Sequence, residues 1–242
     1  VSRDSTRSSR MIKRAVISSL LSVGCDVLDL RSAPVPVARH FVKHSGAAGS
    51  VHVRKLPGNT RVTLVEMFDS RGTYLSPSLE RKVETAFFRE DFVRADPDDL
   101  GVIEVALRAV EDYQTEFLKK LGFEGGKKRL RIVCDYGYTA VANYFPAMLS
   151  RLGVESLSLN NYNDAKLAPR SSEEIARHMG NLKSIVGSVS YDMGVLFTDE
   201  GERLTVVDDR GRLLPGNNLL ASICLLIAKT QQSPTFAFSV TA

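Results

Sequence analysis

Apolar residues recur along this chain with two alternating periods, one helical and one of the short, dense kind expected of strands. In "SSRMIKRAVISSLLSVG", Met11, Ile12, Ala15, Val16, Ser19, Leu20 and Val23 fall on one helical face. Ser8 or Ser9 can cap that helix, and Gly24 sits just past its end, where glycine is favoured. "DVLDL" predicts a short strand, and the proline-stiffened "SAPVPV" leads into a helix from about Ala38 to Lys43. "GSVHV" and "TLVEMF" predict strands on either side of a basic, turn-prone loop, Arg54 to Arg61. Ser76-Pro77 places a cap and an N1 proline ahead of a helix over Ser78 to Phe88.

The acidic, turn-rich "RADPDDLG" at 94–101 interrupts this pattern and predicts a boundary. Val110, Tyr113, Phe117 and Leu121 then recur at three- and four-residue steps, which predicts a helix over Glu104 to Leu121, and "GFEGGKK" breaks the chain again. A second unit starts at Leu130: strand "LRIVCDYG", helix "AVANYFPAMLSRLG", strand "VESLSLN". Ser171 and Glu174 form a capping box for a helix through Met179. "MGVLFT" and "RLTVVDD" predict strands flanking an acidic turn, followed by a buried helix over Leu219 to Ala228. The fold expected is α/β: two consecutive layered domains with mixed, mostly parallel sheets, spanning 1–100 and 101–230. Residues 231–242 would begin a third unit, since "TFAFSVTA" reads as a strand. Both ends look like cuts through a longer polypeptide.

Composition narrows the function classes. The chain has 242 residues, 43% hydrophobic and 25% charged, with a formal charge of +4. That charge is small for the length, and no basic block is interleaved with aromatics, so nucleic acid is not an expected partner. The apolar run at 219–228 is too short to span a bilayer, and the first residues do not read as a signal peptide, so no membrane and a cytoplasmic place are expected. Cys25, Cys134 and Cys224 stand far apart in apolar contexts. With no CxxC or Cys/His spacing, the sequence predicts buried free thiols and neither a zinc site nor a disulfide framework.

Three stretches carry a resemblance. "SRDSTRSSRMIKRAVISSLLSVGCDVLDLRSAPVPV", "EMFDSRGTYLSP" and "DMGVLFTDEGERLTVVDDRGRLLPGNNLL" resemble, in order, three segments of the α-D-phosphohexomutases, the phosphomannomutase and phosphoglucomutase superfamily. They match its GRDTR-S opening, its K-F-F-x-x-x-G segment and its D-G-D-A-D-R metal loop. "GAAGSVHVR" and "FFREDF" further resemble the divergent mutase-like module of some mannose-1-phosphate guanylyltransferases. The resemblance implies four α/β domains, of which this chain supplies the first, the second and the opening strand of the third.

It also implies a set of site residues. The family carries T-A-S-H-N-P in the loop after "GSVHV", with serine as phosphoryl carrier. An ungapped match puts Arg54-Lys55-Leu56-Pro57-Gly58-Asn59 there, with Leu56 on the nucleophile. Leucine has no oxygen to phosphorylate. Thr60 or Thr63 would serve only if the register slips, and His52 reads as a packed strand residue rather than a phosphoryl acceptor. Thr198-Asp199-Glu200-Gly201-Glu202-Arg203 stands on the metal loop. Thr198 replaces the first aspartate, while Glu200 and Glu202 keep longer carboxylates at the other two positions, which implies weak Mg²⁺ binding at most. Arg3, Arg7, Arg54 and Lys55 would form a phosphate-binding pocket, or else are ordinary surface cations.

These expectations add up to a phosphohexomutase-like module that binds sugar phosphate without turning it over, fused to or associated with a nucleotidyltransferase. The rivals are an active mutase with a displaced nucleophile and a stand-alone interaction domain.

Overall fold

The computed structural model describes residues 1–90, 92–122, 129–231 and 233–237. The first half runs β1 (Ser2–Arg3), α1 (Arg7–Ser22), β2 (Val27–Asp29), α2 (Val35–Ser45), β3 (Gly49–Leu56), β4 (Asn59–Asp69), α3 (Pro77–Arg89), β5 (Ile103–Val105) and α4 (Ala109–Leu121). The second runs β6 (Arg131–Asp135), α5 (Phe145–Arg151), β7 (Glu155–Leu159), α6 (Ser172–Ser188), β8 (Met193–Phe197), β9 (Leu204–Asp208), β10 (Leu213–Leu214) and α7 (Gly216–Thr230). Strands and helices alternate as the apolar pattern predicts, and the sheets are mixed. β1 lies parallel to β3 and β3 antiparallel to β4, while β2 and β5 form a separate parallel pair. The second sheet has the order β10-β9-β8-β6-β7, parallel about β6 and antiparallel beyond β8.

Several expected elements shift for identifiable reasons. Thr6, not Ser8 or Ser9, caps α1: its Oγ1 accepts from the Ser9 amide at 3.3 Å. The buried stripe of α1 is Ser9, Lys13 and Ile17, while Met11 is exposed. A count of apolar residues misses this because Lys13 is buried through an ion pair with Asp29 of β2. The helix expected from Glu104 starts at Ala109, since Ile103–Val105 pairs with β2. Residues before it are tied back to α1: the Ala95 amide donates to the Ser22 carbonyl and the Gly101 amide to the Leu21 carbonyl. Gly101 passes so close to Cys25 that a Cβ would sit 2.1 Å from its carbonyl oxygen. The helix expected over 140–153 is a 3₁₀ turn, Ala140–Asn143, followed by α5, with Pro146 in its first turn.

Other expectations need correcting at the surface. Helix α7 has no buried residue, although it was expected in the core. Cys25 is exposed and Cys224 half-buried, so only Cys134 is a buried thiol. The glycine-rich break at 123–128 lies outside the described residues, as does the end of the expected strand "TFAFSVTA", at 238–242. No helix among the described residues is long and apolar enough to cross a membrane.

One apolar cluster joins the halves. Leu30, Ala33, Val37 and Ala38 pack in the same core as Ile132, Tyr136, Val141, Met148 and Phe197. Tyr136 and Phe197 stack at 5.4 Å within it. The junction between the halves is therefore a packed interior, and the candidate site opens at its edge.

Candidate functional site

The basic loop expected between β3 and β4 is not a loop. Its first residues, Arg54, Lys55 and Leu56, continue β3, and β4 resumes at Asn59. Only Pro57 and Gly58 turn the chain, with Gly58 at φ 74°, the pairing a type II turn favours. Leu56 pairs with Asn59, and the register shifts between Lys55 and Leu56. The hairpin tip reaches the second half of the molecule: a Cβ on Gly58 would lie 3.2 Å from Ser172 Oγ at the start of α6.

Beneath the hairpin lies a cavity of about 30 Å³, lined among others by Asp4, Thr6, His52, Lys55, Thr139 and Glu200. That volume holds a water or two, against about 300–1,000 Å³ for a typical small-molecule site. Pro57, Asp199 and Glu200 also face a second hollow, of about 330 Å³.

The four cations expected to converge do not. Arg54 and Lys55 line the cavity, but Arg7 is exposed on α1, and Arg3 points the other way. Successive strand residues face opposite sides. In β1, Ser2 meets His52, its Oγ 2.7 Å from Nδ1, while Arg3 faces a separate basic groove with Arg10, Arg14 and Arg31. Arg54 is engaged by Glu66 across the hairpin, Nε to Oε2 at 2.6 Å and Nη2 to Oε1 at 2.7 Å. Lys55 Nζ donates to Thr63 Oγ1 at 3.0 Å, and its amide donates to Asp4 Oδ2 at 2.7 Å. His52 is buried, and burial holds its imidazole at about 4, with Glu66 and Asp4 pulling weakly upward.

The acidic loop is similarly engaged. Asp199 accepts from the amide and the Nε of Arg170, each at 2.8 Å. Glu202 accepts from Arg39 Nη1 at 2.9 Å. The Thr198 hydroxyl donates to the Arg203 carbonyl at 2.9 Å. Glu200 alone keeps a buried carboxylate oxygen, Oε2, with no hydrogen-bond partner. Magnesium wants about six oxygens in near-octahedral array. Among the described residues, these carboxylates do not converge into a three-ligand group. As arranged, the loop does not fit a magnesium cage.

Sequence reasoning missed the residue that organises this loop. Arg170 is 1% exposed, grips Asp199, and donates through Nη2 to the Phe197 carbonyl at 2.5 Å. Its guanidinium lies against Gly137, where a Cβ would come within 2.3 Å of it. Nothing around "APRSS" distinguishes this arginine from a surface one. Beside it, buried Asp135 accepts from Gly137 and Asn160 and pairs with His178 Nδ1 at 2.8 Å.

Comparison with known proteins agrees with this architecture. Residues 1–94 match the model of phosphoglucomutase/phosphomannomutase alpha/beta/alpha domain I, and residues 111–211 match that of domain II. The phosphoglucomutase/phosphomannomutase of Thermococcus kodakarensis is 29% identical over 224 residues, covering 92% of this chain and 49% of that protein. The phosphoglucosamine mutase of Campylobacter jejuni is 26% identical over 235 residues, 94% of this chain and 51% of that one. A solved phosphoglucomutase/phosphomannomutase family protein from Burkholderia thailandensis shares the fold, with a TM-score of 0.78 at 18% identity, over 95% of this chain and 50% of that one. The chain thus spans about half the length of the curated relatives it matches. By its two matched domains, in order and over most of its length, it belongs to the phosphoglucomutase/phosphomannomutase family.

Proposed function

We propose that this chain is a non-catalytic phosphohexomutase-like module that binds or senses sugar phosphate, serving beside a mannose-1-phosphate guanylyltransferase in the intact protein. One observation carries the reading: the segment that should present the nucleophile is a closed hairpin with Leu56 in its ladder. The cavity beneath it, with room for a water or two, supports the same conclusion, as does the engagement of Arg54, Asp199 and Glu202 by opposite charges. Lys55 remains the cavity cation without a carboxylate partner, bonded only to a hydroxyl. The phosphate end of a sugar-phosphate ligand is expected to meet Lys55 and the neighbouring Ser5 and Thr6 hydroxyls, with its sugar in the adjoining hollow of about 330 Å³, and with Mg²⁺ bound no more tightly than millimolar, as in weak oxygen sites.

A coupled assay on mannose 1-phosphate and glucose 1-phosphate, with Mg²⁺ and the bisphosphate activator, tests the negative half. No turnover above a Leu56→Asp control, and no phosphoform by intact mass, is the expected result. The rival reading, an active mutase, would use Thr63, the hydroxyl held by Lys55; phosphate mapped to Thr63 would establish it. For the positive half, sugar phosphate should raise the melting temperature, as any native-state ligand does. Lys55→Ala should abolish that rise and Arg7→Ala should not. The guanylyltransferase association is checked in the full-length reading frame.

A further inference from the structure

His40 and His44 stand one turn apart on α2, in "HFVKH", and both turn their Nε2 atoms to one carboxylate on α4. His40 Nε2 lies 2.9 Å from Glu116 Oε2, and His44 Nε2 lies 3.3 Å from Glu116 Oε1. From these three residues the geometry points to a binding site for a divalent transition metal of the zinc class, clamping α2 to α4.

Each residue offers one donor atom, and the three lie within 4.8 Å of one another. Zinc bonds of about 2.0–2.2 Å in tetrahedral array put ligand atoms about 3.3–3.5 Å apart, so small side-chain movements seat the ion. The tautomer of His44 suits the purpose. His44 Nδ1 lies 2.8 Å from the His40 carbonyl, which can only accept. That bond therefore holds the proton on Nδ1 and leaves Nε2 with a free lone pair, the arrangement metal-ligating histidines use. In His40 a metal at Nε2 would replace the 2.9 Å contact with Glu116 and put the ring proton on the buried, partnerless Nδ1, a cost the metal bonds must outweigh.

Charge argues the same way. The ring centroids are 4.3 Å apart, so protonating both imidazoles to pair with one carboxylate sets like charges side by side. A divalent ion joins both nitrogens and the carboxylate without that repulsion. Two nitrogens and one oxygen select zinc, cobalt, nickel or copper over magnesium. Lys120 Nζ occupies Glu116 Oε1 at 2.6 Å, but its side chain is 64% exposed and free to swing away. The sequence predicts no zinc site because its Cys/His spacing shows none; the third ligand comes from a helix that only the fold brings near. The chain's other two histidines, His52 and His178, are buried elsewhere and do not compete.

The test uses the chain stripped with EDTA and titrated with Co²⁺ and then Zn²⁺. One equivalent of Co²⁺ should give visible absorption bands of a low-symmetry site and should be displaced by Zn²⁺, which raises the melting temperature; Mg²⁺ should do neither. His44→Ala and Glu116→Gln, at partly exposed positions, should each weaken affinity at least tenfold. Lys120→Met should tighten it several-fold by removing the competing cation, an effect a merely structural salt bridge would not produce. Cys25→Ser should leave it unchanged. Absent bands and no shift in the folded wild-type chain would overturn the site, as would affinity undiminished in both His44→Ala and Glu116→Gln.

Discussion

Arg170 and His52 show what single side chains do here. Arg170→Ala would strip Asp199 of its guanidinium partner and the Phe197 carbonyl of its donor, while the amide at position 170 keeps its bond to Asp199. Breaking a buried pair from one side costs about 3–5 kcal/mol, which urea denaturation should register. His52 makes stability depend on pH. Its imidazole is held at about 4 in the fold, against 6.5 when unfolded. Between those values the unfolded chain takes up a proton that the folded chain refuses. The resulting ~3 kcal/mol is present in full above pH 6.5 and lost as pH falls toward 4. His52→Gln should flatten that window when its denaturation midpoints are compared with the wild type across pH 4 to 7.

Among the elements, α6 and α7 mark how far sequence pattern reaches. Only the more apolar α7 reads from sequence as a core helix, yet α6 is the one that buries a face. Leu182 of α6 is fully buried against Val133, Leu196 and Val207 of the second sheet, whereas Leu226 of α7 is 63% exposed. Leu182→Ala should therefore cost about 2–5 kcal/mol. Leu226→Lys should stay within about 0.5 kcal/mol. Thermal unfolding of the two variants measures the contrast directly. Local chemistry was legible: Ser76-Pro77 opens α3 and Ser171 with Glu174 closes a capping box on α6, since caps depend on neighbours in sequence. The burial of α7 was not legible, because exposure depends on what else is there to cover it. The shape of the candidate site was half legible. The expectation of Leu56 at the nucleophile position rests on a linear match, whereas Glu66 engaging Arg54 and Arg170 engaging Asp199 come from distant segments.

Across the whole molecule, the shared core outweighs the division into two domains. Leu30 and Val37 pack with Met148 and Phe197, and Arg39 bonds Glu202 over the same boundary. Such continuity predicts one cooperative unfolding transition, with calorimetric and van't Hoff enthalpies in agreement. Two resolved transitions, or a folded fragment of residues 1–105 alone, would contradict it. The hairpin of β3 and β4 belongs to this scale as well, since its tip abuts Ser172 across the boundary. A serine placed at position 56 would enter a ladder paired with Asn59, not the apex of an open loop. If position 56 is where a nucleophile would stand, as proposed, presenting one would require lengthening the turn and freeing Arg54 from Glu66 together. On the proposed reading, the hairpin makes a return to phosphoryl transfer a matter of rebuilt architecture rather than of one codon.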